Sequence, residues 1–132
     1  MANELPRFAA VGAGRMGRGI AIAFAYAGHR ISLVDLRSRE PHDWHRLQSE
    51  VRAEIEGALN GLVQQGVVPA GQVTAIADRV ELADRQDAPA ALAAAELVFE
   101  GVPETLQAKR EAFDWINRHC LDDAILTSTT SS

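Results

Sequence analysis

The feature that most constrains the fold is a cluster of glycines close to the start of the chain. The segment VGAGRMGRG, Val11 to Gly19, contains four glycines and follows an apolar run, 8–11, that predicts a buried strand. Glycine weakens regular structure, because its backbone loses the most conformational freedom on folding. So many glycines at one place therefore indicate a turn between a strand and a helix that larger residues could not form.

Strand and helix patterns alternate along the rest of the chain. Strands are predicted at 8–11, 31–35, 80–82, 97–102 and 124–128, and helices at 15–27, 43–65, 72–77, 88–95 and 104–120. This alternation predicts an α/β fold built on a doubly wound parallel sheet, with helices on both faces. The helical pair at about 43–77 is longer than a compact crossover requires, so we expect it to form a protruding helical arm.

Gly12, Gly14 and Gly17 match the pattern G-x-G-x-x-G, directly after a strand and opening a helix. In Rossmann-type folds the first glycine permits the tight turn, the second lets a pyrophosphate approach the backbone, and the third lets the helix pack closely on the sheet. The helix N-terminus offers free N–H groups to the phosphates. We expect Arg15 and Met16, within the same turn, to contact the cofactor as well.

Asp35 completes this dinucleotide-binding pattern, 18 residues after Gly17 and at the end of the second predicted strand. A carboxylate there accepts hydrogen bonds from the adenosine ribose hydroxyls. It also repels a 2′-phosphate, which favours NAD over NADP, although Arg37 nearby could neutralise such a phosphate. The alternative is that Asp35 only caps a turn and that the glycines serve packing.

Two longer stretches resemble the NAD-binding domain of the 3-hydroxyacyl-CoA dehydrogenases. They are VGAGRMGRGIA and ELVFEGVPETLQAKREAFDWINRHCLDDAILTSTTSS. That family has a strand of the form (D/E)-L-V-x-E-x-x-x-E, a helix bearing a lysine, and a strand ending in S-N-T-S-S. The matching positions here are 96–104, Lys109 and 128–132, so the resemblance covers essentially all of residues 1–132.

The resemblance implies specific roles for several residues. Glu104 and Lys109 would contact the bound NAD, with Glu100 as a weaker candidate, and Ser131 would lie beside the nicotinamide and the substrate's hydroxyl. The alternative for Glu104 and Lys109 is a solvated helix start. Thr129 stands where the family usually has Asn. The implied reaction is hydride transfer between an L-3-hydroxyacyl-CoA and NAD, which gives the 3-ketoacyl-CoA.

The family's general base is a histidine that lies downstream of the S-N-T-S-S strand. None of the histidines here matches that position, and we expect surface roles for all four: His29, His42, His45 and His119. No metal-binding spacing of His or Cys is present. We therefore expect residues 1–132 to be the cofactor half of a dehydrogenase, inactive alone, without the C-terminal substrate domain through which the parent enzyme would form a homodimer.

Charge and composition limit the partners. The formal net charge of −5 argues against a nucleic-acid partner, which would require a basic face. A single cysteine, no signal-peptide pattern and no long apolar segment favour a cytoplasmic protein with no membrane partner.

The segment 43–65 raises a question about the substrate. In the family this arm is commonly lysine-rich and helps to hold coenzyme A, whereas here it carries more acidic residues than basic ones: Asp43, Glu50, Glu54 and Glu56 against Arg46 and Arg52. Two alternatives to an acyl-CoA dehydrogenase therefore stay open. One is a dehydrogenase of a non-CoA 3-hydroxy acid, such as a carnitine- or gulonate-like substrate, and the other is a non-catalytic NAD-sensing module.

Overall fold

The structure is a computed structural model that describes residues 4–128. Its five strands form one parallel sheet in the order β3-β2-β1-β4-β5. The strands are β1 (Phe8–Val11), β2 (Ile31–Val34), β3 (Val80–Ala83), β4 (Leu97–Glu100) and β5 (Ile125–Ser128). The helices are α1 (Arg15–Tyr26), α2 (Pro41–Gln64), α3 (Val73–Ala77), α4 (Ala88–Ala94) and α5 (Leu106–His119), with a 3₁₀ turn at Ala70–Gln72.

Helices cover both faces of the sheet, as the alternation of strands and helices predicts. Neighbouring residues of a strand point to opposite faces, and they fall into two separate hydrophobic clusters. Ala10 and Leu33 belong to a cluster with α1, α2 and α3, whereas Val11 and Val34 belong to one with α4 and α5. All four residues of β2 are buried, including the polar Ser32, as expected for an inner strand of a parallel sheet that is covered on both faces.

The long helix α2 packs against the domain along one face. Its buried residues recur every four positions: Leu47, Val51, Ile55 and Leu59. They share a hydrophobic cluster with Ala21 of α1 and Leu33 of β2. The helical arm that the sequence predicts is present, and the buried face of α2 is part of the hydrophobic core.

Local hydrogen bonds explain where the helices differ from their predicted limits. The helix predicted from 104 begins at Leu106, because the Thr105 Oγ1 accepts a hydrogen bond from the Ala108 N–H at 3.2 Å and makes Thr105 the N-cap. Glu104 therefore precedes the helix. The helix predicted from 43 begins at Pro41, since proline suits the first helical position. Between residues 4 and 128, no helix combines the length and the apolar character needed to cross a membrane.

The sheet register brings three chain turns to one edge. Val11 at the end of β1 is paired with Val34 of β2 on one side and with Glu100 of β4 on the other. The chain runs outward in opposite directions from β1 and β4, which creates a crevice at the carboxyl ends of the strands. Gly12, Asp35 and Gly101 follow these three strand ends and meet at that crevice.

Candidate functional site

The three motif glycines differ in what surrounds them. Gly12 has a φ of +105°, and a Cβ added there would lie 2.9 Å from the Gly101 carbonyl oxygen. A Cβ on Gly17 would lie 1.8 Å from the Gly12 carbonyl oxygen. A Cβ on Gly14 would meet nothing within 4 Å. The first and third glycines are thus required by the turn and by helix packing, whereas the second faces open space.

That open space is a cleft of about 380 Å³ between the glycine turn, the end of β2 and α5. Gly12, Gly14 and Asp35 all line it. A neighbouring cavity of about 320 Å³ is lined by Gly14, Arg15, Met16 and Glu104. The fold therefore gathers residues far apart in sequence around one turn, and Gly14 contributes to both spaces.

The first turn of α1 faces these cavities with hydrogen-bond donors. The first intrahelical bond of α1 runs from the Arg18 N–H to the Gly14 carbonyl oxygen at 2.9 Å. The N–H groups of Arg15, Met16 and Gly17 precede it, and such groups at a helix N-terminus favour anions. The Arg18 side chain fixes the turn, since its Nε donates to the Ala13 carbonyl oxygen at 2.8 Å.

Asp35 lies in the cleft wall and is 3% exposed. Its backbone N–H donates to the Ala83 carbonyl oxygen at 2.8 Å, which ties the residue to the end of β3. The Arg39 guanidinium donates to both carboxylate oxygens, through Nε to Oδ2 and through Nη2 to Oδ1. Arg37 is the arginine that the sequence indicates near Asp35, but the one that pairs with Asp35 is Arg39. A carboxylate has about four acceptor positions, so capacity for ribose hydroxyls remains.

Glu100, a weaker candidate in the sequence, is the centre of a buried polar cluster. Its side chain is 0% exposed, and the Lys109 Nζ donates to its two oxygens at 2.9 and 2.7 Å. The Ser128 hydroxyl donates to Oε1 at 2.8 Å, and the Val102 N–H donates to Oε2 at 2.8 Å. The Lys109 ammonium therefore binds the Glu100 carboxylate directly. The Glu104 Oε1 lies 3.7 Å from the Lys109 Nζ. The sequence indicates this cluster through an acidic residue at the end of a buried strand, because a buried charge requires hydrogen-bonding or charged partners.

The pKa of Glu100 reflects two opposing effects. Burial by itself raises the pKa, but hydrogen bonds from Lys109, from Ser128 and from the Val102 backbone outweigh it, so the pKa lies below the ordinary value of 4.5. A carboxyl whose pKa is lowered by folding stabilises the protein above its unfolded pKa. This contribution is lost as the pH falls through the folded pKa.

We expect Glu100→Gln to lower the free energy of unfolding at neutral pH by about 3 kcal/mol or more, because it removes charge-assisted hydrogen bonds and leaves the largely buried Lys109 ammonium without its closest charged partner. The loss should begin to shrink below pH 4.5, where the carboxyl of the unfolded parent chain takes up its proton, and should disappear as the pH falls through the lower pKa of the folded carboxyl. Denaturant unfolding across this acid range measures both effects. Glu96→Gln, an exposed carboxylate just before β4, is the matched control. Parallel stability curves for Glu100→Gln and the parent protein would contradict the assignment.

The histidines lie away from these cavities. His29 packs against the rings of Phe8 and Phe24, with centroids 5.3 and 6.1 Å away, and His119 packs 5.1 Å from Trp115. None of the four histidines lines either cavity. Within residues 4–128, no group of three or more His, Cys, Asp or Glu side chains could hold a metal ion. Ser131, Thr129 and Ser132 lie outside the described residues, so the role expected for Ser131 stays a prediction.

The chain is similar to known proteins over its whole length. The family model described as 3-hydroxyacyl-CoA dehydrogenase, NAD binding domain, matches residues 7–132. A 3-hydroxybutyryl-CoA dehydrogenase from Bradyrhizobium diazoefficiens is 33% identical over 132 residues, which are 100% of this chain and 42% of that protein. The 3-hydroxyadipyl-CoA dehydrogenase of Escherichia coli is 32% identical over 94% of this chain and 24% of its own length.

Solved structures agree with the sequence comparison. FadB2 from Mycobacterium tuberculosis superposes with a TM-score of 0.80 at 30% identity, covering 98% of this chain and 42% of that one. The chain thus spans less than half the length of these relatives. The expected Rossmann-type fold is confirmed, and NAD is the cofactor that the family indicates. The chain belongs to the family of NAD-binding domains of the 3-hydroxyacyl-CoA dehydrogenases.

Proposed function

We propose that this domain holds NAD across the cleft for the oxidation of an L-3-hydroxyacyl-CoA by the whole protein. The observation that carries the proposal is the glycine turn, in which Gly12 and Gly17 are packed against backbone while Gly14 opens onto the cleft. A pyrophosphate needs this kind of unobstructed backbone at a helix N-terminus. Asp35 in the same cleft supplies acceptors for the adenosine ribose.

The other half of the cofactor is assigned to the cavity beside Gly14. Arg15, Met16 and Glu104 line that cavity, and Lys109 lies 3.7 Å from Glu104. We assign these residues to the nicotinamide half, with Ser131 beside the ring and the substrate's hydroxyl. Glu100 would then keep the Lys109 ammonium at one place through its two hydrogen bonds. These roles are supported by the match to the family's motif and by the grouping of the described residues.

The chemistry divides between cofactor and protein. Bound NAD supplies the hydride acceptor, and the protein supplies binding, orientation and electrostatics. The turn and Asp35 fix the dinucleotide, while Ser131 would orient the alcohol for transfer. The hydroxyl proton requires a base, and no histidine lines the described cavities. We propose that this base comes from the further length that the relatives possess, as does the homodimer contact.

An acyl-CoA substrate is supported by the family, but the arm offers little positive charge for coenzyme A. Arg52 is already engaged, since it donates to the Asp78 Oδ1 at 2.7 Å and to the Glu56 Oε2 at 3.1 Å. Glu50 lines the cleft itself. These contacts favour a second candidate substrate, a free 3-hydroxy acid of the carnitine or gulonate type. A purely NAD-sensing role is the third candidate, and turnover distinguishes it from both enzymes.

The test is to compare substrates in the whole protein in which this domain occurs. We expect kcat/KM for L-3-hydroxybutyryl-CoA to exceed that for free 3-hydroxybutyrate by roughly a hundredfold or more, because binding energy from a remote part of the substrate is used at the reacting centre. NADH formation measures both rates. Equal rates with the two compounds would indicate that the substrate is the free acid and not the thioester. No turnover with either compound would favour the NAD-sensing module. Residues 1–132 alone should bind NADH without turnover.

We propose that the protein acts in the cytoplasm. The single cysteine in the sequence supports this location, because thiols stay reduced in the cytoplasm.

A further inference from the structure

The ribose end of the cleft is unusually rich in guanidinium groups. Arg37 and Arg39 line the main cleft and also a neighbouring cavity of about 460 Å³. Arg85 lines the same cavity, where its guanidinium lies 5.1 Å from the centroid of the Trp115 ring. The Arg85 Nη1 also donates to the Leu36 carbonyl oxygen at 2.7 Å, which fixes its position beside Asp35. Three arginines thus converge just beyond the carboxylate that meets the ribose.

The acidic groups nearby cancel only part of this positive charge. Asp84 is the carboxylate that lines the neighbouring cavity, and its Oδ1 already accepts the Asp87 N–H at 2.9 Å. Among residues 4–128, Arg39 is the residue that forms an ion pair with Asp35. Glu50 and Glu111 line the main cleft but not the neighbouring cavity. With Arg39 paired to Asp35, Arg37 and Arg85 stand against Asp84 in the neighbouring cavity, which leaves an excess of one positive charge beside the proposed ribose site.

Arg39 also has donors to spare. A guanidinium carries five N–H donors, and the bonds to Asp35 use the Nε–H and one Nη2–H. The remaining N–H groups can bind a phosphate, for which arginine has a suitable planar geometry. In the same position Arg39 offsets the negative charge of Asp35, and that charge is what would otherwise repel a second anion.

We propose that Arg39 is a specificity-determining residue, which lets this domain retain NADP(H) as a weaker second ligand. Asp35 still favours NAD(H) through the ribose hydroxyls, while Arg39 reduces the electrostatic penalty on a 2′-phosphate and donates to it. This inference rests on the proposed dinucleotide site. It deepens that site by assigning opposite effects on cofactor choice to two residues that are bonded to each other.

The experiment measures the dissociation constants of NADH and NADPH by nucleotide fluorescence in the whole protein. For Arg39→Ala we expect the NADPH to NADH ratio of dissociation constants to rise about tenfold or more, the size expected for a lost charge-assisted hydrogen bond. For Asp35→Ala we expect the ratio to fall. In the double variant Asp35→Ala/Arg39→Ala, the gain in NADPH affinity should disappear, because the two residues are coupled.

Arg30→Ala is the matched control, since Arg30 pairs with Glu81 at the sheet edge and lines neither cavity. Its ratio should equal that of the parent protein. Arg39→Gln, which keeps a hydrogen-bond donor without the charge, gives a second test if the alanine variant unfolds, and its ratio should also rise. An unchanged ratio in the Arg39 variants with intact NADH binding would overturn this inference alone. Failure of the parent protein to bind either nucleotide would overturn the proposed function as well.

Discussion

Gly17→Ala is expected to lower the free energy of unfolding by about 3 kcal/mol or more, at the upper end of the cost of overpacking. The added Cβ would lie 1.8 Å from the Gly12 carbonyl oxygen and 3.2 Å from the Leu33 Cδ1. The oxygen belongs to the backbone of the turn, so it cannot swing aside as a flexible side chain could. Helix α1 would have to move away from β1 and β2. Thermal unfolding followed by circular dichroism should show the Tm falling by roughly 10 °C.

Gly19→Ala provides the matched control in the same helix, two residues further on. A Cβ there meets nothing within 4 Å. Alanine has a higher helix propensity than glycine, so this variant should be more stable than the parent protein by about 0.5–1 kcal/mol. The two substitutions are chemically identical but should have opposite effects. Similar melting temperatures for both would show that α1 does not approach the turn as closely as described.

Gly14→Val is expected to weaken NADH binding by about a hundredfold or more while the fold survives, because the branched side chain would take up space that the bound pyrophosphate needs, and overpacking of this kind costs up to about 3 kcal/mol. Gly14 has φ −87° and ψ −165°, an extended conformation that valine adopts readily. Its side chain would point into the open space that we assign to the pyrophosphate. Fluorescence titration with NADH measures the loss, and circular dichroism reports on the helices.

Gly14→Ala tests whether the loss of NADH affinity depends on side-chain size. Its single methyl group occupies less of the space, so it should weaken NADH binding less than valine does. Binding that is unchanged in both variants would place the dinucleotide elsewhere. Loss of helical circular dichroism together with binding would assign Gly14 a packing role instead. The comparison with Gly17→Ala therefore separates the glycine that the fold requires from the one that the ligand requires.

The glycine turn could be predicted from the sequence because its geometry is local. A strand, a glycine pattern and a helix follow one another within 8–26, and the tightest contact of Gly17 is with the Gly12 carbonyl oxygen of the same turn, whereas the contact of Gly12 with Gly101 arises from the pairing of β1 and β4. The limits of α5 were harder to predict, because the Thr105 cap competes with helical periodicity and leaves Glu104 outside the helix. Apolar periodicity indicates which face is buried, but a single side-chain hydrogen bond decides where the helix begins.

The polar contacts of the site could be predicted only in part. The spacing in the sequence identifies Asp35, but it does not indicate the ion pair with Arg39, which depends on the path of the loop before α2. Glu100 and Ser128 are 28 residues apart and meet only because β4 and β5 are paired in register. A pattern along the chain carries little information about such contacts, since they arise from the arrangement of elements in the sheet.

The buried pair of Glu100 and Lys109 restricts the order in which substitutions can be made. Removing one partner of a buried ion pair leaves the other charge uncompensated, which typically costs about 3–5 kcal/mol, whereas replacing both by apolar residues of similar volume is often neutral or stabilising. Glu100 is 0% exposed and Lys109 is 15% exposed, so solvent can relieve little of that cost. As far as stability is concerned, replacing these two residues together should cost less than replacing them one after the other, although the double replacement would also remove the proposed contact of Lys109 with NAD.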